Sequence, residues 1–579
     1  MRNSNLISLT SFSSLNIYIK ILLTLISLVI VAFGQPAWSG WCSFAAAICG
    51  YALFWRVLVE LSTSSQRFWA GTLWFTVVQL IQLSWFTAHP YLYIYPIYFL
   101  FSFAIGVQYG LLSLLVRSDF LASGAFLCGI AGAWTLSEWL RLFVLSGFTW
   151  NPVGLALASN TYSLQMASLV GVYGLSYWVI LVNLLALRAW MIPKFAITWI
   201  WAALLPYVFG MAHLLFHESR QDAVNTYVNA VVVHTGFPVE EHYSFPDRNS
   251  FINFVCQEWC QILQSLKKQE RQGIDVMILP EYVVPCKTYS YVFNHESVQN
   301  AFRTIFGEES LAWLPPLEPP FAEKFTPLEG DAYFVNNAFW AQGLANYFQT
   351  GVIIGLEDID YIDKESSSYY STALYLQPMA GNLPLPSYRY EKRILVPMGE
   401  YLPFEWCRSF ASSYGIYSSF DPGKEAKVFN VNGVLCGLSI CYEETFGYLI
   451  RENKQRGAEV LINLTNDVWY PCSKLPEQHF YHALLRTVEN GFSLIRSSNV
   501  GISGAVDSLG RTLASIGHGS TSELAFDSLR IKVPLYTYDT LYSKWGDGFI
   551  VGVSALSLIC AQPLFRRRVF RKFLGVENV

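Results

Sequence analysis

Charge is what this chain has least of. Only 14% of its 579 residues are Asp, Glu, Lys or Arg, where a soluble protein carries nearer ~25%. Hydrophobic residues make up 53% and the mean hydropathy is +0.32, the composition of a chain that meets lipid. The net charge of −4 lacks the basic excess of a nucleic-acid binder. A P-loop, a G-x-G-x-x-G turn and an H-E-x-x-H helix are all missing, which removes the common nucleotide and zinc-protease readings. No fixed-period repeat or low-complexity tract is visible. The eleven cysteines are odd in number and scattered. Cys256 and Cys260 suit one helical face, but no second pair completes a zinc site or a disulfide framework. His479 and His482 stand three apart without a third ligand and read as core or surface histidines.

Long hydrophobic runs are present instead. They lie near 18–34, 41–61, 69–88, 92–116, 121–146, 164–187, 195–216 and 547–565, each long enough to cross a bilayer. The first resembles a signal peptide, but the six that come directly after it argue for a span. Arg2, Lys20, Arg56, Arg67, Arg117, Arg188, Lys194 and the tail "RRRVFRK" (566–572) mark one side; "GQPAWSG", "HPY" and "TWNPVGLALASNTYS" on the other contain no Lys or Arg. The positive-inside rule then puts both termini in the cytoplasm and the polar segment 218–544 on the far side. Three domains are expected: 1–217 with seven spans, 218–544 outside the cytoplasm, and 545–579 with the eighth span and a basic tail. In the fifth span Glu138 and Arg141 share a helical face. Ionisable residues there mark either a membrane-side substrate site or a structural pair near the interface.

From Tyr227 strand-like runs alternate with helical patterns: "YVNAVVVHT", helix 248–271, "DVMILPE", "GVIIGLED", "TALYLQP", "RILVP", "VNGVLCGLSI" as one strand, helix 443–456, "EVLINLTND", helix 475–490, "SLIRSSN" and "GISGAVDS". This is an α/β domain with sheets covered by helices. Three polar residues stand where apolar strands end: Glu281, Lys392 and Cys441. Singly they are a capping carboxylate, a surface lysine and a core thiol. Together they supply a base, a cation and a nucleophile at strand ends, where α/β folds gather their sites. Cys441 stands before the acidic start of a helix, whose N–H groups are expected to lower its pKa.

"LPEYVVP", "YEKRILVPMGEYLP" and "CYEETF" resemble the Glu, Lys and Cys motifs of the nitrilase superfamily, whose fold is an α-β-β-α sandwich. Joined to the spans, to "SEWLRLFVLSGFTWNP" and to "NLTNDVW", they are similar to the superfamily's membrane branch, the apolipoprotein N-acyltransferase family. The resemblance implies Glu281 as general base, Lys392 as oxyanion stabiliser, Cys441 as nucleophile and Glu400 as the acid that positions Lys392. Tyr442 and Glu443 line the site, with the Tyr442 N–H in an oxyanion hole. Asn466, Trp469, His479, Arg486, Arg496 and Asn499 match recurrent family positions and read mostly as scaffold. Met398, where Phe is usual, and "GFS" (491–493), where Gly-Arg-Pro is usual, depart from the pattern.

The resemblance also implies a reaction: transfer of an acyl chain from a phospholipid, through a Cys441 thioester, to the α-amino group of a diacylglyceryl-cysteine apolipoprotein. The enzyme is expected to be a cofactor-free, metal-free monomer in a bacterial inner membrane, with its catalytic domain periplasmic. A membrane-tethered nitrilase or amidase, and a lipid-binding protein with a degenerate domain, are the competing readings. The long stretch 286–348, with "AWLPPLEPPFAEKF" and the aromatics Trp313, Phe339, Trp340 and Tyr347, is expected to be a lid over a lipid site.

Overall fold

The computed structural model describes residues 15–118, 121, 123–239, 243–325, 332–362, 366–379, 388–404, 419–518 and 525–573, with side chains to 562. Arg2 and the side chains of 566–572 lie outside them. The chain divides into two compact units, one reaching to His217 and resuming at Thr540, the other running Glu218–Asp539.

In the first unit each of the eight hydrophobic runs contains a helix, among them Ile17–Ala32, Ser64–Gln82, Gly124–Trp139 and Asp547–Phe573. Four among the described residues are long and apolar enough to cross a membrane: Gly40–Leu58, Ile94–Ser113, Ala167–Met191 and Pro193–Gln221. Ile17–Ala32 and Asp547–Gln562 are apolar but shorter. Small residues let helices approach closely: a Cβ on Gly132 would stand 2.6 Å from the Ser554 carbonyl oxygen.

The second unit is built on two six-stranded sheets. Its strands are β1 (Tyr227–His234), β2 (Val276–Ile278), β3 (Phe293–Asn294), β4 (Ala322–Phe325), β5 (Ala332–Val335), β6 (Gly351–Tyr361), β7 (Ser367–Leu376), β8 (Tyr388–Glu391), β9 (Val428–Val431), β10 (Val434–Ile440), β11 (Val460–Asn466), β12 (Ser493–Asn499), β13 (Ser503–Val506), β14 (Thr512–Ile516) and β15 (Asp527–Pro534). The first sheet runs β15-β1-β2-β6-β7-β8, the second β14-β13-β12-β11-β10-β9, and β3-β5-β4 form a small third sheet. Strands β1, β2 and β6 are parallel, as are β10, β11 and β12.

Side-chain alternation along the strands produces the layers. Ala230 and Val232 of β1 join Ile278, Leu438, Ile440, Ile462 and Ile495 in a core shared by both sheets. Val231 and Val233 point the other way, into a core with Trp259 of helix Arg248–Leu266 and Trp340 of helix Asn337–Phe348. Leu461 and Leu494 face Ile450 of helix Gly447–Gln455 and Ala483 of helix Leu475–Asn490. The order helix, sheet, sheet, helix is the expected sandwich.

Three expectations are corrected. The run Val431–Ile440 is not one strand: Asn432 and Gly433 have φ of 51° and 90° and turn β9 back onto β10 as an antiparallel hairpin. Asn-Gly is the favoured pair for that turn, so the signal is legible in the sequence. "RILVP" is not a strand either, because the Arg393 and Ile394 N–H groups donate to the Glu443 carboxylate rather than to a neighbouring strand. Finally, 286–348 is not a structureless lid. Its residues form β3, β4, β5 and two helices, and Phe302, Phe321, Phe339 and Trp340 are buried in the outer core, with Trp313, Leu314 and Leu317 resting on it. Residues 326–331 lie outside the described part. The aromatics that suggest a lipid-facing flap are the packing surface of a helical layer.

Candidate active site

The carboxyl ends of the parallel strands converge on one place in the second unit. Glu281 comes three residues after β2, and Cys441 directly after β10. Close backbone approach fixes Glu281: Gly355 of β6 donates to the Pro280 carbonyl at 3.1 Å, and the Val283 N–H donates to Gly355. A Cβ on Gly355 would stand 2.5 Å from the Glu281 Cα, so this contact requires glycine. Lys392 comes just after β8, its N–H donating to the Ser371 carbonyl at 2.9 Å.

These residues meet. The Lys392 Nζ lies 2.8 Å from the Glu281 Oε1 and 2.5 Å from the Glu400 Oε1, with Lys392 1% and Glu281 5% exposed. The Cys441 thiol lies close enough to this pair for the charges of Glu281 and Lys392 to act on it. Glu400 is held in turn by the Val396 N–H, 2.8 Å from its second oxygen. One ammonium thus faces two carboxylates and a thiol in a nearly dry setting. Burial, opposed by Lys392 and reinforced by Glu400, raises the Glu281 pKa from 4.5 to about 7. Burial pulls against the charge on Lys392, but Glu281 and Glu400 hold its pKa well above the usual lysine range. The two shifts pull apart over the same ion pair. They are reconciled by charge: a single cation compensates one carboxylate, and Glu281, the more buried of the two, is the easier to protonate.

Cys441 departs from expectation. The next helix begins only at Gly447, and Cys441–Thr445 form a 3-10 turn between strand and helix. No helix N-terminus lowers the thiol pKa; burial, and after it the Glu281 carboxylate, push it well up, with Lys392 opposing. The residue nonetheless keeps an exposed edge. Its φ is 51°, a conformation costing a non-glycine residue about 1–3 kcal/mol and concentrated at functional sites. The group is therefore a neutral thiol on a strained elbow beside the Glu281 carboxylate, rather than a ready-made thiolate.

Glu443 does not line the site so much as bind its parts together. One carboxylate oxygen accepts from the Arg393 N–H (2.5 Å) and the Ile394 N–H (3.2 Å). The other accepts from the Ile440 N–H and the Tyr390 hydroxyl, both at 2.8 Å. It joins the Cys441 elbow to the Lys392 segment. The Tyr442 ring packs edge-on against Phe446. Asn499 accepts from the Thr235 hydroxyl and the Phe237 N–H and donates to Asn466, tying the two sheets together. Met398 occupies a turn position with φ of 67°, and Gly491 closes helix Leu475–Asn490 with φ of 63°. Trp469 is part-exposed.

Behind the elbow, His479, Arg486 and Arg496 are buried, and sequence reasoning missed the carboxylates that join them, Glu444, Asp467 and Glu489. His479 is buried, with Nδ1 3.1 Å from Asp467 and Nε2 3.2 Å from the Cys441 carbonyl oxygen. Arg496 contacts both Glu444 and Asp467, and Arg486 lies 2.6 Å from Glu489. An arginine in the apolar strand "SLIRSSN" is the available signal, since a buried charge implies a partner.

Glu138 and Arg141 belong to the first unit and are both buried there. Glu138 accepts from the Val153 N–H at 3.0 Å, at the start of a buried 3-10 segment, Val153–Ser159. Arg141 donates to Gln108 at 2.8 Å, and its carbonyl accepts from Phe148. These contacts brace the connection after the helix. No cluster suited to a metal ion occurs among the described residues.

Comparison with known proteins agrees along the chain. Residues 255–528 match the Carbon-nitrogen hydrolase family, and residues 12–185 match the Apolipoprotein N-acyltransferase N-terminal domain. A protein of Chlamydia pneumoniae named apolipoprotein N-acyltransferase is 33% identical over 91% of this chain and 94% of its own. Those of Chlamydia muridarum and Chlamydia trachomatis serovar D are each 30% identical, over 95% and 94% of this chain and 98% and 97% of theirs.

Proposed function

Because the chain belongs to the apolipoprotein N-acyltransferase family, we propose that it transfers an acyl chain from a phospholipid to the N-terminal α-amino group of a diacylglyceryl-cysteine apolipoprotein, through a thioester on Cys441. The observation that carries this reading is the Lys392 ammonium 2.8 Å from the Glu281 carboxylate, with Cys441 near enough for both charges to act on its thiol.

The chemistry is set by their charges. With a pKa near 7, Glu281 is half-ionised at neutral pH and basic enough to take the thiol proton as sulfur attacks. Cys441 adds to the ester carbonyl, and Lys392 stabilises the oxyanion, its charge secured by Glu400. Collapse breaks the C–O bond, protonated Glu281 returns its proton to the glycerol oxygen, and a lysophospholipid leaves. In the second half the lipoprotein amine attacks the thioester. Glu281 takes the amine proton and passes it to the departing sulfur, leaving an amide and the original thiol. The acyl ester is already an activated donor, so the scheme calls on no cofactor.

The membrane placement belongs to the same proposal: eight spans, both termini cytoplasmic, the second unit periplasmic, and a monomer in a bacterial inner membrane. It is supported by helices in all eight hydrophobic runs and by the one-sided distribution of Lys and Arg. Incubating the purified protein with phospholipid tests the function. An acyl-sized mass increment on the Cys441 peptide, released by hydroxylamine and passed to a diacylated lipopeptide amine, is the expected result. Passage of the acyl group to water alone would make the protein an amidase-like hydrolase instead.

A further inference from the structure

The elbow that carries Cys441 needs something to hold it. Its carbonyl oxygen lies 3.2 Å from the His479 Nε2, within a buried set of ionisable side chains contributed by four elements. Helix Leu475–Asn490 supplies His479, His482, Arg486 and Glu489, the 3-10 turn supplies Glu444, β12 supplies Arg496, and Asp467 comes directly after β11. All seven are at most 3% exposed.

His479 bridges this set. Its Nδ1 faces the Asp467 carboxylate at 3.1 Å; its Nε2 faces the Cys441 carbonyl at 3.2 Å and the Glu444 carboxylate at 3.8 Å. Arg486 pairs with Glu489, and Arg496 with Glu444 and Asp467, so groups of both signs are buried together behind the nucleophile. Burial raises the Glu444 pKa, with Arg496 and His479 opposing. Although burial works against it, His479 and Arg496 hold the Asp467 pKa below the usual range, while burial and then Arg486 keep His482 neutral.

We propose that His479 is a positioning residue for Cys441: anchored on Asp467, its imidazole donates from Nε2 to the Cys441 carbonyl and so fixes the left-handed elbow from which sulfur attacks. This rests on Cys441 being the nucleophile. It assigns His479 no contact with substrate. Its effect passes through the backbone, by keeping Sγ aligned with Glu281 and with the ester carbon. A displacement of about 1 Å at a reacting atom costs on the order of 10²-fold in rate.

The test uses the full-length enzyme in detergent with a phospholipid bearing two octanoyl chains, reading single-turnover acylation of Cys441 by mass. His479→Phe, which cannot hold the carbonyl, should acylate on the order of 10²-fold more slowly, with the half-saturating lipid concentration unchanged. His479→Gln keeps an N–H for the carbonyl and should fall between it and the wild type. Wild-type acylation rates in the folded His479→Phe protein, or a loss in both variants that only tracks their folded fraction, would overturn the proposal. Should His479→Phe not fold, His479→Gln and nitrogen NMR decide. In protein labelled with ¹⁵N-histidine, the signals missing from His479→Gln should show a proton on Nε2, the nitrogen facing the carbonyl. A bare Nε2 there would refute the clamp. Absence of any acyl group on wild-type Cys441 would instead sink the functional reading, and the spectrum would still judge His479.

Discussion

Replacing Glu281 with Gln should remove activity and stabilise the protein, and the stabilisation should depend on pH in a set direction. In the folded chain the Glu281 pKa stands at about 7 against an ordinary 4.5, chiefly through burial. Between those values the folded state holds a proton that the unfolded state has lost, so stability falls as pH rises through the window. Below 4.5 the penalty is absent; above 7 it is complete, at about 3 kcal/mol. Glutamine never ionises, and Lys392 keeps Glu400 as its counter-charge at 2.5 Å. Thermal unfolding of the two proteins between pH 4.5 and 8 reads the effect. The variant's advantage should grow by roughly 6 °C across the window, at about 2 °C per kcal/mol for a unit of this size. Acylation of Cys441 should meanwhile fall by ~10² or more, as for loss of a general base, and the wild-type rate should rise with pH through about 7 as Glu281 ionises. A stability difference that is flat in pH, or that shrinks as pH rises, would refute the reasoning.

Cys441→Ser is nearly isosteric and should fold normally yet give no acyl-enzyme, because a buried hydroxyl is a far weaker nucleophile than sulfur; a stable acyl-serine formed at the wild-type rate would contradict this. Lys392→Ala should slow both acylation and transfer by ~10²–10³, since both pass through an oxyanion. It should also destabilise the fold by leaving Glu281 and Glu400 without their cation, so rates need to be taken on the folded fraction, and normal thioester formation there would refute the role. Glu443→Gln exchanges one of two accepting oxygens for an amide that donates, against four donors now satisfied. A loss of at least ~2 kcal/mol by denaturant unfolding is expected, and unchanged stability would show that Glu443 does not hold the elbow to the Lys392 segment.

The parts of this protein that can be read in the sequence are those set by local pattern. The run "SLIRSSN" locates β12 to the residue, and helix Leu475–Asn490 is legible with its bounds. Errors arise where a distant side chain outcompetes the local preference. "RILVP" has the composition of a strand, but Glu443, some fifty positions later, takes two of its N–H groups. The 286–348 segment looks unpaired because its partner is the outer face of β1, β2 and β6, which no window along the chain brings near it. The asymmetry recurs at the site. Glu281 and Cys441 stand out because each is a polar residue where an apolar run ends, whereas Lys392 follows the polar strand β8. His479, Glu444 and Asp467 give no such signal, since each is unremarkable among its own neighbours and acquires meaning only when β11, β12 and a helix meet behind the elbow. A nucleophile can therefore be found by pattern, whereas the groups that hold its backbone in a costly conformation belong to the tertiary fold, which alone can supply the partners that keep Arg486 and Arg496 buried.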